Sequence, residues 1–169
     1  MPPAALFGIS VAFSFVVWGS ITRQYIWPAL SKRTRDDALR PILLLHAFRF
    51  VGLAFLIPGV VSPELPPAFA RPVAYGDLAS AILALLAIAT LKGRLGPAMV
   101  WIFNIVGTID LLNAFYQGNR LALEPGLQGA AFFLPTVVVP LLLITHAVVF
   151  RLMVRTSVAV PSHSRQRAA

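Results

Sequence analysis

Cysteine is absent from the 169 residues. That excludes disulfides, thiolate metal sites and cysteine nucleophiles. Charge is scarce as well. Asp, Glu, Lys and Arg make up 12% of the chain, about half the ~25% of an ordinary soluble domain. Acidic residues are the rarest of these, six against fourteen Lys and Arg, for a formal net charge of +8. Phosphate-binding and dinucleotide glycine fingerprints are missing, as is HExxH. Ser10, Ser14 and Ser20 lack a GxSxG setting. No catalytic constellation emerges, and the chain is not expected to be an enzyme.

What is present is apolar. Hydrophobic residues make up 58% of the chain, and the mean hydropathy is +0.80. A soluble fold of this length cannot hide so much apolar surface, whereas a bilayer can. The positive charge does not point to nucleic acid, because the basic residues sit in short connections between apolar runs. The expected partner is the lipid bilayer, with a homo-oligomer or a larger membrane complex as further partners.

Five stretches reach the ~17–25 residues that a spanning helix needs. They are residues 4–25, 41–61, 73–91, 97–116 and 131–153. Between the first two lies SKRTRDDALR, read as a solvated loop or a short surface helix begun by Asp36 or Asp37. Tyr25 and Trp27 fit an interfacial belt, and Pro28 is expected to end or kink the first span. Pro41 suits a first helical turn. SPELPPAFARP reads as a proline-rich turn rather than helix. Pro135 and Pro140 should bend the fifth span. Ser80, Ala84 and Ala87 form a small-residue face on the third. The tail 156–169 is expected to be disordered.

The first span has no basic residue before it and several after, the reverse of a cleaved signal peptide, so it is read as retained. With five spans, eleven Lys and Arg fall on one side and two on the other, leaving Arg49 inside a span. The positive-inside rule then puts the N-terminus outside and the C-terminus in the cytoplasm. The expectation is an all-α, integral membrane five-helix bundle forming one domain over residues 1–155.

Depth follows from ~1.5 Å per helical residue. Counted from these span ends, His46, Arg49, Asn104 and His146 share a layer near the cytoplasmic face. Asp77, Asp110, Asn113 and Tyr116 form a second layer in the outer half, with Asp110, Asn113 and Gln117 on one helix face. His46 and His146 are candidate axial ligands of a b-type haem, with Arg49 and Asn104 beside it. The alternatives for the histidines are structural hydrogen bonds or a proton relay. Arg49 anchors a carboxylate or phosphate, pairs with Asn104 or carbonyls, or snorkels to the surface. Asp110 is the best candidate for a protonatable or substrate site, against a packing role with Asn113 or Tyr116. Asp77 reads as a helix cap, with a proton or substrate role beside Asp110, Asn113 and Tyr116 as the alternative.

The strings LLHAFRFVGLAFLIPGVVSPELPPAFA, YGDLASAILALLA and FNIVGTIDLLNAFYQGN resemble a family of small, uncharacterised bacterial polytopic membrane proteins, over about Pro41–Met153. The resemblance implies a bacterial inner-membrane home and assigns no site. The functional expectation is a membrane protein binding a small ligand or cofactor between the second, fourth and fifth helices. The alternatives are a proton-coupled small-molecule transporter, or one of its subunits, and a non-catalytic accessory subunit of a membrane complex.

Overall fold

Hydropathy along the chain is converted into five long helices, α1 Pro3–Ser31, α2 Arg35–Leu56, α3 Pro67–Thr90, α4 Gly96–Arg120 and α5 Leu134–Val154, each long and apolar enough to cross a membrane. The computed structural model describes residues 1–155. The tail expected to be disordered lies outside the described residues.

Local chemistry explains where the helices start. Thr34 accepts a hydrogen bond from the Asp37 amide at 3.3 Å, and its hydroxyl donates to the Asp37 carboxylate at 2.7 Å. This caps α2 and draws most of the charged loop into helix, so Pro41 lies inside α2 rather than in its first turn. The proline-rich stretch is also shorter than expected. Pro67 occupies the first turn of α3, where its fixed φ favours a start, and PAFARP is helical. Asp77 therefore sits well inside α3 and caps nothing.

Pro28 does not end α1. Thr22–Ile26 widen into a π turn in which the Trp27 amide bonds back to the Thr22 carbonyl. α5 repeats the device: Leu134–Val138 form a π turn, and the Val139 amide bonds to the Leu134 carbonyl. In each case a proline stands two residues past the π turn, Pro28 and Pro140. An extra residue in the turn moves the preceding carbonyls away from the ring, so the helix continues.

α3 packs between α2 and α4, and α5 touches α1, α2 and α4. Ser80, Ala84 and Ala87 are fully buried, as a small-residue face should be, and Ala84 and Ala87 share a core with Leu39 and Leu43 of α2 and Phe103 of α4. Their small size lets backbones approach closely. α1 is peripheral. The Trp18 indole N–H donates to the Val137 carbonyl at 3.1 Å, and the Arg151 guanidinium stacks 3.9 Å over the Trp27 ring. Large apolar side chains cover the outside, including Phe13, Val16, Ile82, Leu85 and Ile109.

The connections at one end of the bundle are tied together. The Ala130 amide donates to the Val60 carbonyl at 2.8 Å, and the Ser62 amide donates to the Leu127 carbonyl at 3.0 Å. Gly129 makes this possible. Its φ is +51°, and a Cβ would overlap the Val60 carbonyl.

Candidate functional site

The second half of α2 is 3-10 helix over Phe48–Leu56, far beyond the usual run of about three or four residues. At three residues per turn, positions i, i+3 and i+6 stack without drift. Arg49, Gly52 and Phe55 are thus buried on one ridge, while Phe48, Phe50 and Val51 face outward. His46 lies one turn before Arg49 and is also buried. An α-helix would rotate Phe55 by about 120° away from Arg49 over the same six residues. The tighter coil keeps one face of α2 against α3 and α4.

Arg49 is 2% exposed. Its Nε donates to Asp77 Oδ1 at 2.8 Å, and its Nη2 donates to Asp110 Oδ2. Nη1 donates to the Gly107 carbonyl at 3.1 Å and lies 3.4 Å from His146 Nε2. Three glycines provide the room. A Cβ at Gly52 would overlap the Asp77 carboxylate, one at Gly76 the Asp110 carboxylate, and one at Gly107 the His146 ring and Arg49 Nη1.

The hydrogen bonds assign the histidine tautomers. His146 Nε2 faces a guanidinium N–H and so accepts, which makes Nδ1 the donor to Asn104 Oδ1 at 2.7 Å. Asn104 Nδ2 returns a bond to the His146 carbonyl at 3.3 Å. Thr145 donates its hydroxyl to the Leu141 carbonyl at 2.9 Å, leaving its oxygen to accept from His46 Nε2 at 2.9 Å. His46 Nδ1 is buried without a partner.

The sequence-predicted residues are partly reunited. His46, Arg49, Asn104 and His146 converge, and α2 and α5 are neighbours. The two imidazoles are in ring contact, with centroids 4.2 Å apart, and Phe103 packs on both. A bis-histidine haem needs a porphyrin-wide slot between its axial rings. These rings leave none, and their hydrogen bonds turn them to Thr145, Asn104 and Arg49. Among the described residues, no group of three or more His, Asp or Glu could hold a metal ion.

The two expected polar layers are one. Measured from their true starts, Arg49 and Asp110 each lie roughly 21 Å along their helices, and Asp77 roughly 15 Å from the opposite end. All three reach the middle of the bundle. Asn113 and Tyr116 do not join them, and both are exposed. Asp110 stands at the margin of the inward stripe of α4. Three residues on, the helix has turned about 60° toward the outside, and four residues on about 40° the other way. Ala114 and Gly118 therefore follow Asp110 inward.

Above the ion cluster is a cavity of about 530 Å³, within the range of small-molecule sites. Asp77 and Asp110 form its floor, and Phe7, Phe55, Phe69 and Phe115 are among its walls. It lies at the end of the bundle that carries Pro2, Asn119 and Glu124. Sequence reasoning missed this cavity and the three glycines. Gly52, Gly76 and Gly107 each lie within three residues of a charge inside an apolar span, a spacing that signals close backbone approach. Nothing in the sequence marked the phenylalanines.

A family match spans residues 6–154. The chain belongs to DUF8737, a domain-of-unknown-function family. Comparison with curated proteins and with solved structures gave no match. The matched region contains all five helices except the first residues of α1, and with them Arg49, Asp77, Asp110 and His146.

Proposed function

We propose that this protein is a multi-pass protein of the bacterial inner membrane that binds a small organic molecule in the cavity above Arg49, Asp77 and Asp110. The cavity carries the reading, because a passive bundle has no need of an apolar chamber of about 530 Å³ floored by two carboxylates. Lipid as the medium is supported by five apolar helices whose outward faces carry Phe13, Val16, Ile109 and Leu85. The N-terminus outside and the C-terminus in the cytoplasm follow from the eleven-to-two division of Lys and Arg. In this orientation the cavity lies in the outer half.

A thermal-shift screen of small amphiphiles on the detergent-purified chain tests the binding. Ala114→Trp puts an indole into the cavity and is expected to erase the stabilising shifts. Ile109→Trp, on an exposed position of the same helix, is expected to keep them. Shifts that survive Ala114→Trp would place binding elsewhere.

The absence of native cysteine makes the orientation directly readable. Asn119→Cys is expected to react with a membrane-impermeant maleimide in intact cells, and Lys92→Cys only after permeabilisation. The reverse pattern would invert the topology.

A second reading, a proton-coupled carrier, is favoured by the charge count. One guanidinium faces two carboxylates, and an intramembrane carboxylate left over is the group such carriers use to exchange charge. Under this reading Asp110→Asn abolishes flux in reconstituted vesicles.

A further inference from the structure

We propose that the molecule taken up by the cavity is a hydrophobic monocation, its positive head at Asp77 and Asp110 and its apolar body among the phenylalanines. The proposal rests on the ligand-binding reading above and adds the chemical class of the ligand. Three observations converge on it.

The first is charge. Among the described residues, the lining includes Asp77, Asp110 and, at the mouth, Glu124, but no Lys or Arg. Arg49 lies beneath the floor and does not line the cavity. Its Nε, Nη1 and Nη2 are already directed to Asp77, Gly107, His146 and Asp110. An anionic ligand would meet three carboxylates and, among the described lining residues, no cationic side chain. One positive charge on Arg49 against two carboxylates leaves one negative charge for a monovalent partner.

The second is access. The Asp77 and Asp110 side chains keep 14% and 17% exposure, while Arg49's is 0%. Among the described residues, Asp77 Oδ2 and Asp110 Oδ1 have no hydrogen-bond partner. Asp77 Oδ2 abuts Gly52 and Asp110 Oδ1 abuts Gly76, and both aspartates line the cavity. Gln128, 4% exposed, also lines the chamber, and its Oε1 is buried without a partner.

The third is the wall. Phe7, Phe55, Phe69 and Phe115 line the chamber, and Phe55 and Phe69 pack edge to face with centroids 5.8 Å apart. Phenylalanine faces attract cations and bury apolar bodies, a pairing that suits an aryl- or alkyl-ammonium.

Three probes with one carbon skeleton separate the charge from the body: phenylbutylamine, phenylbutanol and phenylbutyrate. Binding to the full chain in detergent is read by calorimetry. The amine is expected to bind at least about tenfold tighter than the alcohol, and the butyrate to give no heat of binding. Asp110→Asn is expected to reduce amine affinity on the order of tenfold or more while leaving that of the alcohol within about twofold. Retained alcohol binding also shows that the variant is folded. Glu124→Gln, at the exposed mouth, is a milder variant and should weaken only the amine. Equal binding of amine and alcohol, both lost in Ala114→Trp, would overturn the cation assignment and leave the cavity reading intact. Tighter binding of the butyrate would overturn the cation assignment as well. Failure of all three to bind would overturn both.

Discussion

Arg49→Leu is expected to destabilise the bundle by about 3–5 kcal/mol, enough to prevent recovery of a monodisperse protein in detergent. The loss has a specific origin. Arg49 is buried and serves Asp77, Asp110, the Gly107 carbonyl and His146 at once. Its removal leaves two carboxylates unpaired in the middle of the bundle, and an unpaired buried charge costs far more than the pair contributes. The same asymmetry predicts a rescue. Combining Arg49→Leu with Asp77→Asn and Asp110→Asn removes the charges together and should recover most of the unfolding midpoint. Arg49→Lys is expected to fall between, because one ammonium cannot reproduce the fork that reaches two carboxylates in different directions. A native midpoint for Arg49→Leu alone would show that the cluster does not hold the helices. A triple variant no better than the single one would show that packing, and not charge, dominates.

Gly52→Val is the second large effect, expected to cost about 1–3 kcal/mol through overpacking. The position lies on the buried ridge of α2, one 3-10 turn after Arg49, and a Cβ there overlaps the side chain of Asp77. Two branches on that Cβ force α2 away from α3 and pull Asp77 off Arg49, so packing and ion pairing fail together. Gly19 of α1 is the control, since nothing lies within 4 Å of a Cβ there. Gly19→Ala is expected to be neutral or to stabilise by about 0.5–1 kcal/mol through helix propensity. Thermal unfolding of the two variants beside the native chain decides the matter. Equal midpoints would mean that the α2–α3 contact yields without penalty.

The proposed occupant of the cavity follows from the same cluster. With Arg49 beneath the floor and no Lys or Arg among the described lining residues, the proposed site would discriminate by charge before shape. Under that proposal ligand affinity and bundle stability share residues, and Asp110 changes are best read on the alcohol and the amine together.

Reading the residues alone is enough to see that the fold is helical, that five stretches are long and apolar enough to span, and which residues carry charge within them. These are local properties, set by runs of apolar residues and by the turn formers between them. Residues such as Ser80, Ala84 and Ala87 were legible too, because their spacing puts them on one face whatever they pack against. The remainder emerges only when the helices pack. The Thr34 cap and Pro67 lengthen α2 and α3 toward their starts, which shifts Arg49 and Asp77 along their helices and merges two expected layers into one. A 3-10 ridge turns Gly52 and Phe55 to the side of Arg49, and glycines on three helices let two carboxylates reach one guanidinium. The neighbours of a side chain depend on helix ends, helix rotation and backbone approach at the same moment, and no single stretch of sequence encodes all three.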